Sequence, residues 1–198
     1  MGLASPNSMV WTYFRSLERI AARVPRIGDP IEQKDEIALA LFLAVAAVEV
    51  FVNVFFRVLV EEPGGDYTSK KGLVLTDLDE SQPGGPKGLK HKLNNWPPKI
   101  LGKSLAWQTG IARDFEELRL RRNALMHFTS SHETVRLPGN VFISGLANTA
   151  AYDELRVADA AQAHSVATGM VEELLRLTGI PEERIPHGLH QWTGKVPI

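Results

Sequence analysis

The stretch Ile37 to Val60, IALALFLAVAAVEVFVNVFFRVLV, is apolar at every position except Glu49, Asn53 and Arg57. Its length suffices to cross a bilayer. A Glu or Arg near the middle of a span costs about 2.5–3.5 kcal/mol each, however, and these three polar residues recur every four positions. On a helix that spacing gathers them into one stripe about 80° wide. A helix buried in protein with a single polar seam accommodates such a stripe, whereas lipid does not. The segment therefore predicts a core helix and no membrane association. Asp29-Pro30-Ile31-Glu32 supplies its start, with Asp29 as the cap, Pro30 in the first position and Glu32 closing a capping box. Glu61-Glu62-Pro63-Gly64-Gly65 ends it. A helix of about thirty residues and some 45 Å, apolar on most sides, belongs at the centre of a bundle.

The rest of the chain reads as helical around it. Ser8 to Val24 carries Val10, Tyr13, Phe14, Leu17, Ile20, Ala21 and Val24 on one face. Residues 61–86 are turn-rich, with one short apolar piece at Leu73-Val74-Leu75. Gly88 to Asn95 predicts a short helix broken at Pro97-Pro98, and Ala112 to Phe128 a strong amphipathic one. Val157 to Thr178 predicts the last helix, closed by Gly179 with Pro181 beyond. Thr134 to Leu137, a turn at Pro138-Gly139-Asn140, and Val141 to Ile143 read as a small hairpin or an irregular excursion around 134–145. The tail contains Pro181, Pro186 and Pro197 and is expected to drape over the surface. The expected fold class is all-α: an N-terminal helical extension (1–28), a helical domain (29–180) and a C-terminal tail (181–198).

Composition excludes several chemistries. The 198 residues include no cysteine, which removes disulfide scaffolds, thiol nucleophiles and zinc fingers together. The 22 basic and 23 acidic residues nearly cancel, so no global field draws the chain onto nucleic acid or an acidic membrane. The distribution is uneven: residues 87–127 hold nine basic residues against three acidic, after an acid-rich 61–86. The first residues lack the basic start and apolar run of a secretory signal, and a cytoplasmic location is the expectation.

The segment FEELRLRRNALMHF, residues 115–128, carries the functional argument. On a helical wheel Phe115, Leu118, Arg122, Leu125 and Met126 fall within an arc of about 100°, so Arg122 sits in the middle of an apolar face. An arginine there is either paired inside the fold, with Glu49 as its candidate partner, or directed into a dimer interface. Beside that arc Arg119, Asn123 and His127 line up at four-residue spacing. The run Arg122-Asn123-Ala124-Leu125-Met126-His127 resembles the RxxxxH signature of the HEPN superfamily, in the variant where a polar residue follows the arginine. The upstream GLKHKLNNWPPKILGKSL, the long helix with Glu49 and Asn53, and Val157-Ala158-Asp159-Ala160 are also similar to segments of that family. The resemblance covers residues 30–178, most closely 87–128. A second nominal match, Arg184 to His190, contains Pro186 and Gly188 and is not expected on a helix.

The resemblance implies an up-and-down helical bundle that forms a homodimer with the two motifs facing each other. Active members of the family cut RNA at that composite site without metal or cofactor, by attack of a 2′-hydroxyl on the adjacent phosphate. Carried onto this chain, Arg122 binds the phosphate and stabilises the transition state, and His127 supplies base or acid. Asn123 orients the imidazole or the phosphate, and Arg119 adds a phosphate contact. Glu49 and Asn53 position Arg122. Implied partners are an RNA substrate and, for a toxin or defence role, an antitoxin or regulatory protein. Members silenced by nucleotide transfer carry RxxxxHxY, and Thr129 stands here in place of that tyrosine. Two other readings stay open: a non-catalytic HEPN module that binds nucleotide, RNA or a partner protein, and a helical interaction protein whose Arg122 seals a dimer.

The other features read as structural. Lys87, Lys90, Lys92, Lys99 and Lys103 suggest a solvated face, and Trp96, followed by two prolines, a core corner rather than a base-stacking platform. His91, His132 and His164 carry no signal. His187 and His190 lack a third metal ligand nearby in sequence.

Overall fold

The computed structural model describes residues 5–126, 132–139, 141–147 and 149–194. In chain order its elements are α1 (Ser8–Arg23), α2 (Pro30–Glu61), α3 (Lys71–Leu78), α4 (Leu89–Trp96), α5 (Gly110–Met126), the strands β1 (His132–Leu137) and β2 (Val141–Ala147), α6 (Ala150–Asp153), α7 (Val157–Leu177) and α8 (Ile185–Thr193). The fold is helical, with one small antiparallel hairpin.

Helix α2 starts where its cap residues place it. The Asp29 side chain accepts from the Ile31 N–H at 3.1 Å, and Pro30 occupies the first turn, where a missing N–H costs nothing. By length and composition α2 is apolar enough to cross a membrane, but α1, α5 and α7 pack against it, with α3 and α4 alongside. Ala40, Ala44 and Ala47 of α2 and Ala160, Ala163 and Ala167 of α7 are all fully buried, and side chains this small let helices approach closely. Phe51 and Phe56 are buried with them, each worth roughly 1.5–3 kcal/mol on leaving water. Along the seam, Glu49 and Asn53 are half-buried. Arg57 is exposed and pairs with Glu61 at 3.3 Å.

Two expectations give way to the structure. The chain does not stop being helical at Pro97-Pro98: α4 runs on through one wide π-helical turn, Pro97–Leu101, until Gly102 ends it at φ +70°. Nor is the tail draped. Residues Ile185–Thr193 form α8, and Trp192 packs its ring edge-on against Phe51 and Phe55 of α2, with centroids 5.4 and 5.5 Å apart. Pro186 lies in the first turn of α8 and so starts that helix instead of breaking it. The carbonyl of Gln191 accepts from the side chains of Asn7 and Trp11, tying the two ends of the chain together. Likewise α1 packs on α2 and α7 within the bundle.

The hairpin expected around 134–145 forms, pairing Leu137 with Val141 and Val135 with Ile143. It carries a bulge between Glu133 and Val135, and Gly139 in its turn has φ +88°.

Helix α5 carries the motif, and α7 fixes its position twice. At its start, Ile111 lies over Gly169, where an added Cβ would come within 2.6 Å of the isoleucine. Near its end, Arg121 forms a two-pronged ion pair with Asp159, at 3.1 and 2.6 Å. Position 111 beside 169 and 121 beside 159 make the helices antiparallel. Because α7 begins at Val157, the last turn of α5 overhangs it. That overhang corrects the wheel at one residue. Phe115, Leu118 and Leu125 are buried, but Met126 stands 55% exposed.

Candidate functional site

Four residues that the motif singled out, Arg122, Asn123, Arg119 and Glu49, border one cleft of about 300 Å³ between α2, α4 and α5. Val45, Lys90 and His91 complete its lining, together with Gly88 and Leu89 at the start of α4. That end of α4 has no side-chain cap and no acidic residue in its first turn, so its partial positive charge is uncompensated. Asn53 stands apart: its Oδ1 accepts from Lys92 Nζ at 2.8 Å, and it lines a separate depression beside Arg57. His127 follows Met126 directly in sequence and lies, with Thr129, outside the described residues.

The arginines of α5 differ in what holds them. Arg119 is committed to Glu116 through two hydrogen bonds, at 2.8 and 2.9 Å. Arg121 is committed to Asp159. Arg122 makes no ion pair among the described residues, and the expected partner Glu49 borders the same cleft without bonding to it. The half-buried guanidinium instead donates from Nη1 to Asn123 Oδ1 at 3.1 Å and to Met126 Sδ at 3.0 Å. Two neutral acceptors orient the group, and Glu49 is the carboxylate that shares its cleft. Asn123 is thus an orienting partner of Arg122.

Glu116 also receives Lys90, so one carboxylate serves two cations of the rim. The hydrogen bond from Arg119, reinforced by Lys90 and opposed by burial, pulls the Glu116 carboxyl down to about 2. A carboxyl lowered on folding contributes stability that is complete above its unfolded value near 4.5 and is lost as pH falls towards 2. At about 1.4 kcal/mol per pKa unit, with its partners partly in solvent, the contribution is on the order of 2–3 kcal/mol. Urea unfolding between pH 2.5 and 6 should therefore show a stability slope that is shallower in Glu116→Gln. An unchanged slope would remove Glu116 from the acid response.

Two residues of α4 went unread in the sequence. Lys92, grouped there with solvated lysines, is 2% exposed. Burial pushes its ammonium below the ordinary lysine value against the attraction of Glu49 and Asp77. Its Nζ also sits 5.6 Å from the Trp96 ring centre. Trp96 is fully buried and donates its indole N–H to Asp77 Oδ2 at 2.8 Å, as a core residue does. His91, which carried no signal, is on the cleft. No cluster of three His, Asp or Glu residues spaced to hold a metal ion occurs among the described residues.

Comparison with protein-family models, curated proteins and solved structures finds no match for this chain. The functional reading therefore rests on the cleft.

Proposed function

We propose that this protein is a HEPN-type endoribonuclease that works as a homodimer and cuts RNA without metal. The observation that carries the reading is the state of Arg122: an arginine on the edge of a cleft, oriented by Asn123 and Met126, with no ion pair among the described residues. A guanidinium in that state is prepared for a phosphodiester, whose two free oxygens match its planar fork. Position supports the same reading. The last turn of α5 overhangs the bundle, and exposed Met126 beside Arg122 offers a second copy an apolar contact.

The chemistry follows from these groups. His127 of one copy takes the proton of a ribose 2′-hydroxyl, and the 2′-oxygen attacks the adjacent phosphorus. As the P–O2′ bond forms, the P–O5′ bond breaks, and the leaving 5′-oxygen takes a proton from His127 of the second copy. Arg122 stabilises the charge gathered on the phosphorane oxygens. The products are a 2′,3′-cyclic phosphate and a free 5′-hydroxyl. Arg119, already held by Glu116, contributes mainly by shaping the rim. The test is cleavage of an end-labelled single-stranded RNA in EDTA. Wild type is expected to leave cyclic phosphate ends, and His127→Ala to lose at least about 100-fold in rate. Cleavage that persists in the variant, or that yields 3′-hydroxyl ends, would rule the mechanism out.

A second reading, a non-catalytic module that binds nucleotide or a partner protein, is favoured by one observation. Glu116 neutralises part of the charge of Lys90 and Arg119, which leaves the cleft suited to a small anion more than to a long RNA.

A further inference from the structure

Asp77 is a buried carboxylate, 7% exposed, that the chemistry above does not use. It lies on α3, and its Oδ2 meets two side chains of α4: the indole N–H of Trp96 at 2.8 Å and Nε2 of His91 at 3.5 Å. Trp96 is fully buried, so the carboxylate is anchored from the core side. His91 is 44% exposed and forms part of the cleft wall. At 3.5 Å the pair is an electrostatic contact: Nε2 is turned to Asp77, and Nδ1 is left as the nitrogen for a ligand. His91 from α4 and Arg122 from α5 therefore border one cleft. Arg122 is held by neutral acceptors and makes no ion pair among the described residues.

The remaining charges around the imidazole do not cancel this arrangement. From α5, Arg119 and Glu116 are occupied with each other and with Lys90, the neighbour of His91 on its own helix. From α2, Glu49 is the carboxylate on the cleft wall, and buried Lys92 attracts it from the α4 side. A volume of about 300 Å³ matches a single nucleotide better than a folded nucleic acid.

We propose that His91 and Arg122 bind one nucleotide phosphate between them, His91 as the imidazolium, with Nε2 toward Asp77 and Nδ1–H donating to the phosphate. The choice of a nucleotide as ligand rests on the ribonuclease reading, but the binding itself does not require cleavage. On this view Asp77 is a positioning residue, and His91 is a phosphate-binding residue.

The experiment is an NMR titration of the histidine ring signals in the full-length protein, with uridine 3′-monophosphate and separately with inorganic phosphate. The His91 ring resonances, assigned by their loss in His91→Gln, are expected to move on saturation with the nucleotide. His91→Gln and Arg122→Gln should each weaken nucleotide binding at least fivefold. Asp77→Asn, which still offers an oxygen to the Trp96 N–H, should weaken it less, with the fold retained by thermal melting. Ring signals that stay fixed at saturating nucleotide, or wild-type affinity in His91→Gln, would overturn the proposal. Equal affinity for inorganic phosphate and the nucleotide would overturn the nucleotide assignment and leave a simple anion site. A protein that binds as described yet cuts no RNA would sink the nuclease reading alone.

Discussion

Arg122→Ala should lower RNA cleavage by roughly 10²–10³-fold while leaving the melting temperature close to wild type. Both halves of the expectation follow from how the side chain is held. Among the described residues its guanidinium bonds Asn123 and Met126, so truncation breaks no ion pair there and removes two bonds to neutral acceptors at a half-exposed site. Changes of that kind stay within about 1 kcal/mol. On the nuclease reading, by contrast, the group faces an extra negative charge in the transition state. Loss of an interaction made chiefly in the transition state falls on kcat more than on KM. Arg122→Lys should recover little, because an ammonium supplies charge without the two-pronged fork. Arg119→Ala is the informative contrast. Arg119 is already spent on Glu116, so its removal should cost less than about tenfold in rate, an effect the small share of rim charge can explain. Cleavage unchanged in Arg122→Ala would end the proposal. A large loss of stability in the same variant would mean that Arg122 seals an interface.

The sequence singled out Arg122, Asn123, Arg119 and Glu49 on the cleft but not Lys92 or His91, and the difference is a matter of where each constraint lies. The long core helix was plain because its cap, its apolar run and its terminator are all local. The motif helix was plain from its apolar periodicity, and α5 begins within two residues of the expected position. Met126 failed because a wheel assumes that the packing surface runs the whole length of the helix. Here α7 begins at Val157, so the last turn of α5 lies beyond it and buries Leu125 while leaving Met126 exposed. Helix α8 failed because Pro186 was weighed as a breaker without asking which position it holds; in a first turn proline is compatible with a helix.

Lys92 and His91 failed for different reasons. Leu89, Lys92, Leu93 and Trp96 fall on one face of α4, and that spacing marks Lys92 as an inward lysine; counting charges along the segment hid it. His91 had no such signal. Its role depends on Asp77, fourteen positions away on another helix, and only the packing of α3 and α4 against α2 brings the two together. Of the residues expected to support Arg122, Glu49 reaches the cleft, while Asn53, one turn further along the same seam, turns to Lys92.

Asp159→Ala should be among the most destabilising single substitutions in this protein outside the apolar core, at roughly 2–4 kcal/mol. One buried carboxylate does three things. It holds the Arg121 guanidinium with both oxygens, accepts the Arg156 backbone N–H at 2.8 Å, and places negative charge at the start of α7. Burial alone would raise this carboxyl, but the bonds from Arg121 and Arg156 outweigh it and hold it below the ordinary aspartate value. Its contribution is therefore complete above about pH 4 and declines as pH falls through the lowered value. For a chain of this length the melting temperature should drop by about 5–12 °C at neutral pH. Asp159→Asn should fall between wild type and alanine, because an amide oxygen still caps the helix. Arg176→Ala, which removes an arginine from exposed pairs with Glu172, Glu173 and Glu182, should cost under about 1 kcal/mol. Replacing both Arg121 and Asp159 by leucine should recover much of the loss, since no charge is then left unpaired. If Asp159→Ala behaves like Arg176→Ala, the pair is ornamental. If it is as costly as expected, activity should fall with it, because the Arg121–Asp159 bond aims the overhanging turn of α5, and Arg122 is the next residue along.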